Sequence, residues 1–423
     1  MQVNSVVVTG MGILSSIGNG ISEFQTSIMH GRSGIRHIKE FQGNSELPFT
    51  AALIKEYSLI DSIEQFDFNI NEQKRIIKLL RRMPMALQTT VISVLQAWKQ
   101  SGYLTKCSKD KRISIIVAGS NLSQNYMYET VKEYINLDRR VNPSYAINHF
   151  DTNYIGFISE ILGIQGEGMT IGGASASGNV AILQAYRMIH YDMADLCICV
   201  GPQYDISPVE IQSYINLGAI GNYASFKNPK EASRPFDKDS CGFVPGASSA
   251  CLIMESEQSA RKRRARIYGE VMGGAMVLDA NHLANANING EISVMKKALR
   301  EVKLEKEQID YLNAHGTSTP SGDIAEAEAI YCTYLEHSKK IRVNSTKCLV
   351  GHCMYSAGIV EAITTILQIN HNFVHPNINL YNPIRDDLQF VGKEKENIKI
   401  NYAMSNSFGF SGINTSIILK YAY

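Results

Sequence analysis

The sequence has no C-x-x-C pair, no histidine-rich tract and no apolar run long enough to cross a bilayer. Its formal net charge is only +1, too small a field to imply a nucleic-acid or anionic-membrane partner. Eight cysteines occur without paired spacing, and Cys197 and Cys199 sit in the apolar run 196–200, where a free thiol acts as a small hydrophobe. A reducing, cytoplasmic location is expected. No charged segment precedes the first apolar run, so the start does not read as a signal peptide. Short-period repeats and low-complexity tracts are missing too, which excludes solenoids and disordered linkers.

What is present is apolar bulk. The chain has 423 residues, 44% hydrophobic and 19% charged, enough for two to three domains' worth of core. It is organised around residues 168–183, Gly-Met-Thr-Ile-Gly-Gly-Ala-Ser-Ala-Ser-Gly-Asn-Val-Ala-Ile-Leu. This reads as a buried strand at Met169–Ile171, a small-residue turn and a long apolar helix. Ser175 falls where turn becomes helix, facing unpaired N–H groups and the positive end of the dipole. That position suits a nucleophile or an oxyanion, and equally an ordinary serine cap. Ser177 stands where a strict G-x-S-x-G elbow needs glycine. Gly178 would let another element approach the helix.

Elsewhere strands alternate with helices, the pattern of an α/β fold. Residues 5–18 read as a strand followed by a glycine-rich turn. The dinucleotide fingerprint fails there because position 15 is serine. Residues 21–30 and 72–101 read as helices, and 112–119, 194–201 and 249–254 as buried strands. The charged run 255–266 is the expected boundary between residues 1–255, holding Ser175, and residues 256–423, which repeat the strand-then-helix theme. Arg261-Lys-Arg-Arg-Ala-Arg266 and the set Lys74, Arg75, Lys78, Arg81 and Arg82 are candidate patches for an acidic partner, or simply solvated faces.

The second part carries His315 in Asn-Ala-His-Gly-Thr-Ser-Thr-Pro (313–320), then Lys347 and His352 in 344–352, then a glycine-rich turn at 406–414. Each follows a strand, where open α/β sheets bind ligands. Two histidines and a lysine there could polarise a carbonyl. Helical i, i+4 spacing and a third ligand are missing, so a metal site is not expected.

These segments, with Val6–Gly12, Gly31–Gly34 and Ser233–Asp239, resemble the β-ketoacyl-ACP synthases over nearly the whole chain. The resemblance implies a thiolase-like five-layer α-β-α-β-α fold from two similar halves, a homodimer, and an acyl carrier protein (ACP) as partner. It implies no cofactor, the substrate riding on the carrier's phosphopantetheine arm. Ser175 matches the family's acyl-accepting cysteine. His315 and His352 match the two histidines that hold the malonyl thioester oxygen, and Lys347 the lysine that supports them. Asp323, Glu326 and Glu361 match supporting acids. Phe408 matches the phenylalanine dividing the acyl and malonyl compartments, its N–H completing an oxyanion hole with that of Ser175. Thr317 and Thr319 fall in the substrate-binding motif.

Serine changes the expected chemistry. A free thiol ionises near pH 8.5, and a helix N-terminus lowers that. A hydroxyl needs a dedicated base. Acyl transfer onto Ser175 is expected to be slow, whereas decarboxylation needs only preformed donors to the enolate oxygen. The expectation is a malonyl-ACP decarboxylase of polyketide β-branching cassettes. The bulkier loop 120–127 is expected to narrow an unused acyl tunnel. Alternatives are a condensing synthase with serine for cysteine, a non-catalytic partner subunit, and a serine hydrolase.

Overall fold

A computed structural model describes residues 3–38, 49–103, 112–136, 139–221, 223, 226 and 228–422. Ten of the eleven strands in the main sheet repeat one pattern twice. In the first part these are β1 (Val6–Ser15), β2 (Ile113–Ala118), β3 (Gly168–Ile171), β4 (Leu196–Gly201) and β5 (Ser248–Ser256). In the second they are β6 (Gly269–Leu278), β7 (Tyr311–Asn313), β8 (Arg342–Asn344), β9 (Tyr402–Gly409) and β10 (Ile413–Lys420). The first set runs β1-β5-β4-β2-β3 and the second β6-β10-β9-β7-β8. Corresponding pairs have the same sense. β2 is parallel to β3 and β4, as β7 is to β8 and β9. β5 is antiparallel to β1 and β4, as β10 is to β6 and β9. The sets join only where Val6–Val8 pair with Gly269–Val271.

Helices complete the layers: α1 (Met85–Gln100), α2 (Ser177–His190), α3 (Ile288–Val302), α4 (Pro320–Tyr334) and α5 (Ala357–His371). α1 covers β1 and β5 on one outer face, and α3 packs on β6 and β10, with α4 beside it, on the other. α2 and α5 each pack against strands of both halves of the sheet and touch each other. α5 is buried from Ala357 to Ile369, as a helix clasped by apolar surface on every side must be. The result is the five-layer thiolase-like architecture.

Glycines set the closest approaches. A Cβ on Gly178 would lie 2.8 Å from the backbone N of Gly358, and one on Gly358 2.6 Å from that of Asn179. The central helices therefore cross backbone to backbone, as the reading of Gly178 anticipates. Gly178→Ala is expected to destabilise the fold by about 1–3 kcal/mol through overpacking, seen as a lower urea midpoint. An unchanged midpoint would mean the helices can separate freely.

Three local readings need correction. β1 does not stop at a glycine turn but continues to Ser15. Cβ atoms at Gly10 and Gly12 would lie 2.2 and 1.9 Å from the carbonyl oxygens of Ala97 and Ser93, so these glycines admit α1 onto an extended strand. Residues 72–101 are two helices, Ile70–Leu80 and α1, because Pro84 caps α1 and disfavours helix in the residue before it. β3 is only half-buried, being the edge strand of the sheet.

The charged run 255–266 is partly built in. Glu255, next to last in β5, is fully buried and pairs with Arg263, whose guanidinium also donates to the Ser101 carbonyl at 2.6 Å. Arg261 pairs with Glu257 at 2.6 Å. Among the described residues, no helix is long and apolar enough to cross a membrane.

Candidate active site

Ser175 lies on a 3-10 turn, Ala174–Ala176, that leads into α2 at Ser177. Ala174 adopts φ +48°, a left-handed conformation that costs a non-glycine residue energy and is held by its surroundings. Gly409 at the end of β9 makes the close contact possible, since a Cβ there would lie 2.5 Å from the Gly173 carbonyl. The second half repeats the device. The turn Met354–Ser356 leads into α5, and Met354 has φ +50°.

These matching turns bring the separated motifs together. Ser175 Oγ lies 2.9 Å from His352 Nε2 across 177 positions of sequence. The His315 and His352 rings are 5.6 Å apart and nearly perpendicular. Phe408 packs 5.6 Å from His315 and Phe243 5.3 Å from His352. All five line one pocket of about 270 Å3, together with Thr317 and Thr319.

The hydrogen bonds fix how the imidazoles work. His352 Nδ1 accepts the Met354 N–H at 3.1 Å. Burial and the Lys347 charge hold His352 well below the usual histidine range, so the ring is neutral. Its single proton is therefore on Nε2, and Nε2–H donates to Ser175 Oγ. His315 is likewise held neutral, first by burial and then by Lys347 and His352. Its Nδ1 is buried without a hydrogen-bond partner among the described residues, and no carboxylate orients either ring. Among the described residues there is no Ser–His–acid geometry of the kind that makes a histidine a base. Donation toward an oxygen in the pocket is what this geometry can do.

Charged groups hold the scaffold from beneath. Lys347, 1% exposed, donates to the His315 carbonyl at 2.6 Å and pairs with the buried Glu361. Burial raises the Glu361 carboxyl to about 7 while Lys347 opposes the shift. Glu326 accepts the N–H groups of His315 and Gly316 at 2.9 and 2.7 Å. Asp323 accepts those of Phe236 and Ser318 at 2.7 and 3.1 Å, and burial raises it to about 7. Thr317 and Thr319 share a 2.8 Å hydrogen bond at the pocket wall. Every site residue named from the sequence thus stands at the pocket or directly behind it.

The segment 406–414 is not one turn. Asn406–Gly409 belong to β9, with Phe408 opposite Asn414, and only residues 410–412 turn before β10 begins at Ile413. Several residues went unread. Tyr355 and Tyr204 stack edge to face at 5.2 Å on the pocket wall. Phe410 and Tyr214 line the same pocket, their rings 6.5 Å apart. Asn406 donates to Glu326 at 3.2 Å and Ser407 to Glu361 at 3.4 Å. None of residues 120–127 lines the pocket. Leu122 instead packs behind, and it and Tyr355 would each lie 2.7 Å from a Cβ on Gly119. Tyr355 lines the pocket on that side, with Leu122 of the loop packed behind it.

Two α/β halves of one topology, with reactive groups on the turns entering the paired central helices, define a thiolase-like enzyme fold. Residues 3–260 match the beta-ketoacyl synthase N-terminal domain, and residues 268–381 its C-terminal domain. The chain belongs to the β-ketoacyl synthase family. It is 32% identical over 415 residues to the polyketide biosynthesis malonyl-ACP decarboxylase PksF of Bacillus subtilis, covering 98% of this chain and 96% of that protein. It is 33% identical to a 3-oxoacyl-[acyl-carrier-protein] synthase 2 of Coxiella burnetii, covering 99% of each. A beta-ketoacyl synthase structure from Burkholderia phymatum superposes with TM-score 0.87 at 26% identity, covering 99% of this chain and all of that one.

Proposed function

We propose that this enzyme converts malonyl-ACP to acetyl-ACP in polyketide biosynthesis and does not condense acyl chains. The supporting observation is the Ser175–His352 hydrogen bond with its direction. Serine accepts a hydrogen bond from His352, the one imidazole hydrogen-bonded to it among the described residues, so that ring is not placed as a base to deprotonate it. The two neutral imidazoles needed for decarboxylation remain.

In this reading the phosphopantetheine arm enters past Thr317 and Thr319. The thioester oxygen takes the Nε2–H of His352, now shared with or released from Ser175, and a second hydrogen bond from His315. As the bond to the carboxylate breaks, its electron pair moves toward that oxygen, and the donors stabilise the growing negative charge. Lys347 and Glu326 hold the His315 backbone in place. The working unit is a homodimer served by an acyl carrier protein.

Incubation with malonyl-ACP and mass spectrometry of the carrier is expected to show loss of CO2 with accumulation of acetyl-ACP. Persistent malonyl-ACP would end the proposal. The condensing alternative predicts an acyl group on Ser175 and a β-ketoacyl product when acyl-ACP is added.

A further inference from the structure

The Ser175 hydroxyl has a proton and no acceptor for it. Among the described residues its one hydrogen-bond partner is His352, and in that bond Oγ is the acceptor. The O–H is left to point into the pocket shared with His315 and His352. The geometry points to Ser175 as the proton donor that converts the enolate left by decarboxylation into the acetyl group. This rests on the decarboxylase reading and assigns a role that reading leaves open.

A single atom fixes the alignment. His352 Nε2 is the donor for the thioester oxygen, and Ser175 Oγ lies 2.9 Å from that nitrogen. The enolate carbon is two bonds from the oxygen, so a substrate hydrogen-bonded to Nε2 presents that carbon to the neighbouring hydroxyl. The bond from C2 to the carboxylate breaks and CO2 leaves, its electron pair forming the enolate. That pair then takes the Oγ proton, forming the new C2–H bond and leaving an alkoxide on Ser175. The alkoxide regains its proton from water, and the hydroxide formed adds to CO2 as bicarbonate. Malonyl-ACP and water become acetyl-ACP and bicarbonate, with charge conserved. The transient alkoxide sits beside an Nε2–H donor at the start of α2, whose dipole favours negative charge. An alcohol is a stronger acid than the α-carbon of a thioester, so the transfer runs downhill. The position therefore calls for a hydroxyl and not merely for the absence of a thiol.

The rival donor is Glu291 on α3, 2% exposed, with Oε2 lacking a partner. Burial and the neighbouring Glu326, Asp279 and Asp323 carboxylates raise its pKa well above the ordinary range. It lines the same pocket, but among the described residues no hydrogen bond or ring contact joins it to either imidazole.

The experiment runs wild type, Ser175→Ala, Ser175→Thr and Glu291→Gln on malonyl-ACP in 13C-bicarbonate buffer, following acetyl-ACP and label in unreacted malonyl-ACP. For Ser175→Ala, acetyl-ACP formation is expected to fall about 100-fold, the scale of a lost general acid. Label should enter malonyl-ACP as the longer-lived enolate recaptures CO2. Ser175→Thr, which keeps the hydroxyl, should restore turnover and suppress the label. If wild type makes acetyl-ACP and Ser175→Ala matches it without label, the donor assignment falls and the decarboxylase reading stands. A loss confined to Glu291→Gln moves the proton to that acid and also overturns the assignment. If wild type makes no acetyl-ACP, the decarboxylase reading fails first and takes this assignment with it.

Discussion

If the proposed decarboxylation is this enzyme's reaction, His352→Ala is expected to slow acetyl-ACP formation by about 100- to 1,000-fold, the usual cost of removing one preorganised donor to a developing oxyanion. The loss should appear in kcat with little change in KM, because the bond strengthens as charge builds on the oxygen. The fold should survive. The backbone of His352 is held independently, its N–H donating to the Val244 carbonyl at 2.7 Å and its carbonyl accepting the Gly246 N–H at 2.9 Å. His352→Gln, with an amide N–H directed near the Nε2 position, should recover part of the rate. His315→Ala should cost a similar factor, and the double variant much less than the product of the two, since the donors act on one oxygen. Rates by mass spectrometry of the carrier decide the matter. An alanine variant with wild-type turnover would mean that the oxyanion is stabilised elsewhere.

Lys347→Met carries the largest expected effect on stability. The Nζ is almost fully buried against Glu361 and the His315 carbonyl. Removing it strands a buried carboxylate, and breaking such a pair costs about 3–5 kcal/mol. A urea midpoint far below wild type is the expected readout. Glu361→Gln in the same chain should return part of the loss, because the stranded charge is gone. Activity should change in a second, separable way. Lys347 is one of the causes holding both histidines below their usual range. Without it both should become easier to protonate, moving the acid limb of the pH–rate profile upward. A variant as stable as wild type would mean that water reaches Glu361.

The sequence was most readable where backbone chemistry dictates form. The glycines around Ser175 announce a tight turn, Gly178 a close helix crossing, and the polar stretches after β7 and β8 loops at strand ends. Elements whose form depends on a distant partner leave no such local mark. Gly10 and Gly12 look like a turn until α1 is seen lying on them, and the half-exposure of β3 follows from sheet order, which short-range pattern does not contain. The site shows the same division. Candidate residues were identifiable by type and motif, but the direction of the Ser175–His352 bond is set by the Met354 N–H, a backbone group that any residue there would supply. Tyr355 carries no local signal either. Its place on the pocket wall comes from the second 3-10 turn, the counterpart of the one that carries Ser175.

Those twin turns say something about ancestry. Ser175 enters from one copy and both imidazoles from the other, meeting near the glycine seam between α2 and α5. A lone half would hold either the alcohol or the rings, never both. If the chain arose by duplication, the present site is a product of the joining, because neither copy carries the whole set.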